Sequence, residues 1–142
     1  MATAARRFID AWLLAWTTHD PEALADVYAG GPVQRSEPFR ERDEPRRYAA
    51  WAFADEQSAD VWFAEPFVET DSGAVCEWWA ISRDRDGGVT TLAGVSLLRF
   101  DADGRVVDQR DYWSQQAGAH EPPPGWGPVA ARSAGPPTET TV

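Results

Sequence analysis

"LAGVSLLRFDADGRVVDQRDYW", residues 92–113, decides how this chain folds. Two alternating runs flank the turn-forming residues Asp101-Ala102-Asp103-Gly104, which predicts strands over 89–100 and 104–113 joined as a hairpin. Within the second strand the alternation puts Val107, Gln109, Asp111 and Trp113 on one face, because side chains two apart point the same way. If Val107 and Trp113 face a core, Asp111 goes in with them. An ionised carboxylate there is costly unless something pairs with it.

Outward from the hairpin, period-two patterning also predicts strands over 60–70, "DVWFAEPFVET", and 73–82, "GAVCEWWAIS". Upstream the spacing is helical. Phe8, Ile9, Trp12, Leu13 and Trp16 make an amphipathic first helix over 4–17. A second is predicted in "THDPEALADVYAG", 18–30, with Asp20 as N-cap, Pro21 at the first helical position and Gly30 as its stop. After a short extended piece in "PVQRSEPF", a third is predicted in "DEPRRYAAWAFAD", 43–55, with Tyr48, Trp51 and Ala52 inward. Three helices followed by an antiparallel meander make an α+β fold, the helices lying on one face of a curved sheet. Residues 1–116 form that domain. Residues 117–142 hold six of the chain's 11 prolines and read as a tail, disordered or draped on the surface, in which Trp126 is the one candidate for docking back as a lid.

Composition narrows the partners. The 142 residues carry a formal net charge of −10, which argues against nucleic acid and against anionic membrane surfaces. All 13 basic residues are arginine, so a catalytic lysine is excluded. The lone cysteine, Cys76, permits no intrachain disulfide. Two histidines far apart, without CxxC or HExxH spacing, lend no support to a metal site. The N-terminal apolar stretch is interrupted by Asp10 and too short to span a bilayer, and the chain is read as cytoplasmic.

Glu77 is odd in the same way as Asp111. In "AVCEWWAI" it shares a face with Val75, Trp79 and Ile81. Two carboxylates in one apolar concavity would tend to share a proton, supplying one donor and one acceptor for general acid–base work. The structural alternative is pairing of Asp111 with Arg99 or Arg35. Trp12, Trp16, Trp51, Trp79 and Trp113 are candidates to line a pocket for a flat apolar ligand. His19 reads as a solvated neighbour of a helix cap. Cys76, Trp78, Val95, Leu97 and Tyr112 fall on the opposite, outer sheet face, an apolar surface that suggests a homodimer.

The order of elements, with "DPEALADVYA" early and "LAGVSLLRFDADGRVVDQRDYW" late, resembles the SnoaL-like branch of the nuclear transport factor 2-like superfamily. The resemblance spans roughly residues 5–116 and implies a cone: a strongly bent sheet wrapped around helices, with a deep apolar pocket. It places Glu37 where ketosteroid isomerases carry their proton shuttle, and Trp12 and Ser96 where they carry oxyanion donors. It places Asp111 on the "RDY" aspartate of limonene-epoxide hydrolases and Glu77 on their second acid, with Val75 where the bridging arginine would be. The expectation is a cofactor-independent enzyme using Asp111, Glu77 and Glu37 on a hydrophobic small molecule, by cyclisation, epoxide opening or isomerisation. A non-catalytic binding or dimerisation module is the alternative reading.

Overall fold

The computed structural model describes residues 2–126 and, as backbone, 129–132. Helix α1 spans Ala4–Thr18, capped by Thr3, whose hydroxyl accepts from the Arg6 amide at 3.2 Å. Strand β1 is Gln34–Ser36 and helix α2 is Pro45–Phe53. The meander follows: β2 Glu56–Phe63, β3 Val68–Glu69, β4 Gly73–Asp84, β5 Val89–Phe100 and β6 Val106–Ala117. A last strand, β7, is Val129–Arg132. The sheet order is β1-β6-β5-β4-β2-β7, with β3 pairing β4. Among the described strands only β1 runs parallel to its neighbour. The fold is α+β, with the core between α1 and the concave face of the sheet. There Phe8 meets Phe63 edge-on at 6.2 Å. Among the described residues no helix is long and apolar enough to cross a membrane.

Four expectations change. The second helix is only a 3₁₀ turn, Pro21–Leu24. Asp20 caps it as expected, but the chain beyond is drawn to the sheet: the Val106 amide donates to Val27 O and the Ala29 amide to Val106 O. Those long-range bonds replace a helix of marginal length. On α2 the buried face is Pro45, Ala49 and Phe53, while Trp51 is 62% exposed.

The third change is a bulge in β6. Arg99 pairs with Asp108 but Phe100 pairs with Val106, leaving Val107 as the extra residue. Val106 is therefore fully buried and Val107 is 39% exposed, whereas Gln109, Asp111 and Trp113 keep the inward face. The fourth is the phase of β4. Ala74, Cys76, Trp78 and Ala80 face inward, and Glu77 and Trp79 face outward. Gly94 explains the choice. It pairs with both Trp78 and Trp113, and a Cβ there would lie 2.5 Å from Trp113 Cβ and 2.8 Å from Trp78 Cζ2. A glycine between two inward indoles makes the room that they need.

The segment after β6 lies along the outer face. Trp79 Nε1 donates to the His120 carbonyl at 2.7 Å, and its ring meets Trp126 edge-on at 5.4 Å. Trp126 sits against Trp79 and does not line the cavity described next. β7 then extends the sheet along β2, with Val61 opposite Ala131.

Candidate functional site

Between the helices and the concave sheet lies a cavity of about 430 Å³. Its walls are largely aromatic: Trp12 and Trp16 from α1, Trp51 at its mouth, Trp78 from β4 and Trp113 from β6. Trp16 meets Trp78 edge-on at 5.7 Å. Set in this wall is Asp111, 5% exposed.

The Asp111 carboxylate has no arginine partner among the described residues; the three hydrogen bonds it accepts come from neutral donors. Ser96 Oγ donates to Oδ1 at 2.7 Å, Gln109 Nε2 donates to Oδ1 at 2.9 Å, and Gln34 Nε2 donates to Oδ2 at 3.0 Å. The β-register builds this cage. Ser96 sits opposite Asp111 on β5, and Ser36 and Gln34 come alongside from β1. Two of the donors are themselves oriented from behind. Trp12 Nε1 donates to Tyr28 Oη at 2.7 Å and Tyr28 donates to Gln109 Oε1, leaving only the amide N–H of Gln109 for Asp111. Trp78 Nε1 donates to Ser96 Oγ at 3.1 Å, so the Ser96 hydrogen is free for the carboxylate. Burial pushes the Asp111 carboxyl above its ordinary value, and the bonds from Gln109, Gln34 and Ser96 oppose that rise. Arg99 and Arg110 instead meet Asp108, on the outer face, at 3.7 and 3.2 Å.

A second directional chain ends in the cavity. Trp113 Nε1 donates to Ser36 Oγ at 3.2 Å, and Ser36 donates to Tyr48 Oη at 2.7 Å. The phenolic hydrogen of Tyr48 remains to be given. Burial raises the Tyr48 phenol above its ordinary value, against the bond from Ser36, so it stays protonated. Gln34, 1% exposed, lines the same cavity, and its Oε1 is buried without a hydrogen-bond partner.

Of the expected site residues, Asp111, Glu37, Trp12, Trp16, Trp51, Ser96 and Trp113 line the cavity, and Glu77 and Trp79 do not. The expected Asp111–Glu77 pair is therefore corrected: the phase of β4 turns Glu77 to the other side of the sheet. Glu37 stands at the rim, its φ of 83° in the left-handed region and its amide donating to Asp111 O at 3.0 Å. Arg40 joins it, its guanidinium 4.5 Å above the Trp51 ring. Gln34, Tyr28 and Tyr48 were missed because none breaks its local pattern; Gln109, a second polar residue on the inward face beside Asp111, was the available signal.

A further acid, Glu56, lines the cavity from the start of β2, buried and bonded to His19 Nε2 at 2.8 Å. His19 is thus not the solvated cap neighbour expected of it. It closes α1 with φ 54° and stacks on Phe53 at 5.2 Å. Among the described residues no three His, Cys, Asp or Glu side chains gather as a metal site.

The sequence profile of the SnoaL-like domain family matches residues 5–109. No curated protein sequence matches the chain. Solved structures do. The Delta 5-3-ketosteroid isomerase from Mycobacterium sp. is 15% identical with a TM-score of 0.65, over 82% of this chain and 100% of that one. The epoxide hydrolase/cyclase-like enzyme SalBIII, of pyran ring formation in polyether salinomycin, is 10% identical with a TM-score of 0.68, over 81% and 95%. A Mycobacterium tuberculosis protein in complex with estradiol-17beta-hemisuccinate is 17% identical with a TM-score of 0.63, over 82% and 99%. At such identities the likeness is one of fold.

Proposed function

The chain belongs to the SnoaL-like domain family, and from that premise we propose that it is a cofactor-independent enzyme acting on a hydrophobic small molecule, with Asp111 as general base. One observation carries this reading: a buried carboxylate on the wall of an apolar cavity, held by neutral donors alone. Because Oδ1 receives two of them and Oδ2 one, Oδ2 keeps a lone pair for a proton taken from water or a ligand hydroxyl. A raised proton affinity brings the base closer to the working pH, where general-base catalysis is most effective.

Tyr48 takes the donor's part expected of Glu77. In the step that uses both groups, an O–H bond gives its proton to Asp111 as the oxygen attacks an epoxide carbon. The carbon–oxygen bond breaks, and Tyr48 protonates the departing oxygen. With water as nucleophile this is epoxide hydrolysis; with a hydroxyl of the same molecule it is cyclisation. Isomerisation has less support, because Trp12 and Ser96 spend their hydrogens on Tyr28 and Asp111 instead of a substrate oxyanion. Glu37 and Arg40 attend the mouth.

The test offers limonene oxide and a hydroxy-epoxide to the whole chain and follows products by chromatography. Wild-type turnover should fall about 100-fold or more in Asp111→Asn, with ligand binding retained. Unchanged turnover in the variant would remove Asp111 from the chemistry. Tight binding without turnover in the wild type would make the chain a binding module. The same proposal extends to a cytoplasmic homodimer through the outer sheet face, where Leu97, Val107 and Tyr112 stand exposed; a monomer in sedimentation equilibrium would dismiss that interface.

A further inference from the structure

The cavity has a second polar end that the proposed chemistry does not use. Glu56 is buried there, and its carboxylate, like Asp111's, has three side-chain partners split two and one. Oε2 accepts from Trp16 Nε1 at 3.3 Å and from Ser82 Oγ, while Oε1 faces His19 Nε2 at 2.8 Å. One acceptor position on Oε1 is left over. Glu56 and Ser82 line the cavity, whereas His19 stands behind, its side chain 22% exposed.

The two ends are well separated. Asp111 lies in the row that continues through Ser96 to Cys76, and Ser82 is six residues farther along β4. That is roughly 20 Å along the strand, and less across the cavity because the sheet curves. The stretch between them is apolar, walled by Trp16, Trp78 and Leu92. A tie between α1 and the sheet would not by itself need a carboxylate: a glutamine could bond the same neighbours without the cost of burying a charge.

We propose that Glu56, positioned by His19, Trp16 and Ser82, is a second ligand-binding pole, and that the cavity takes an elongated apolar molecule with a hydrogen-bond donor at each end. One donor goes to Asp111, the other to Glu56. This inference rests on the reading of the cavity as the ligand site and fixes the class of ligand: a flat or polycyclic skeleton bearing terminal hydroxyls, not one with a single polar head.

The experiment titrates the full chain with 4,4′-dihydroxybiphenyl and with 4-hydroxybiphenyl, by calorimetry, in the wild type and in Glu56→Gln. The wild type should bind the two-donor probe about tenfold more tightly than the one-donor probe, the worth of one hydrogen bond to a charged group. Glu56→Gln should erase that preference while holding the one-donor affinity within about twofold, since that probe can still use Asp111. Equal affinity of the wild type for both probes overturns the inference, and this comparison does not depend on the variant's folding. So does an equal loss for both probes in Glu56→Gln, the mark of a purely structural role. If neither probe binds the wild type, the cavity reading falls and this inference with it. Failure of this inference alone leaves binding intact and indifferent to the second hydroxyl.

Discussion

Asp111→Asn should leave the protein folded and should change how its stability depends on pH. An asparagine oxygen placed where Oδ1 lies keeps the bonds from Ser96 and Gln109. Its Nδ2 then faces the Gln34 amide nitrogen, but Gln34 has an unpartnered Oε1 and can rotate its amide to present it. No hydrogen bond need be lost, and a buried charge disappears. The unfolded carboxyl titrates near 3.9, whereas the folded one titrates higher because burial opposes its charge. Between those values the folded protein holds a proton that the unfolded chain has released, so wild-type stability falls as pH rises through the window. Above the folded value the loss is complete and constant. The advantage of Asp111→Asn should therefore open from about pH 4 upward and then level off, at ~1.4 kcal/mol for each unit by which the folded carboxyl is raised. The other acids act alike in both proteins and cancel in the difference. Urea unfolding of both proteins between about pH 4.5 and 8 measures the gap. A variant less stable by about 2 kcal/mol or more, with a gap indifferent to pH, would show that the charge is compensated in the fold and would refute this reasoning.

Gly94→Ala should cost about 3 kcal/mol and lower Tm by ~10 °C in a thermal melt, because its Cβ would sit 2.6 Å from Tyr112 O and 2.5 Å from Trp113 Cβ; a shift under about 2 °C would contradict the packing described. Cys76 is fully buried and its thiol is pushed up to about 12 by burial. At pH 8 it should resist a disulfide-exchange reagent in the folded protein and react within minutes in urea; rapid reaction without urea would place it elsewhere. Glu77→Gln should leave both turnover and probe affinity within about twofold, since Glu77 stands off the cavity; a loss on the scale of Asp111→Asn would restore the two-acid mechanism.

Asp111 was legible because it interrupts an alternating strand, and a charge beside Trp113 has to be accounted for. α1 was legible because Phe8, Ile9, Trp12, Leu13 and Trp16 repeat at helical spacing over about two and a half turns. What failed depended on partners distant in sequence. Nothing local to 20–30 reveals that Val27 and Ala29 bond Val106 in place of a helix. Trp78 and Trp79 are equivalent as neighbours on a strand; only the glycine across from Trp78, in another strand, decides which turns inward. Glu56 sits four residues before the predicted start of its strand, where no alternation marks which way it points. Tyr48 was read as part of a helix's inner stripe, which it partly is, but its hydroxyl matters through Ser36, brought alongside by β1.

The most direct test of the central claim is a carboxyl-carbon NMR titration of the whole chain, with the Asp111 resonance assigned by its absence in Asp111→Asn. Asp111 should titrate above its ordinary value, because burial opposes its charge, and its resonance should move when 4-hydroxybiphenyl fills the cavity. A carboxyl titrating at or below about 4, indifferent to the probe, would make Asp111 a structural anion and end its candidacy as the base.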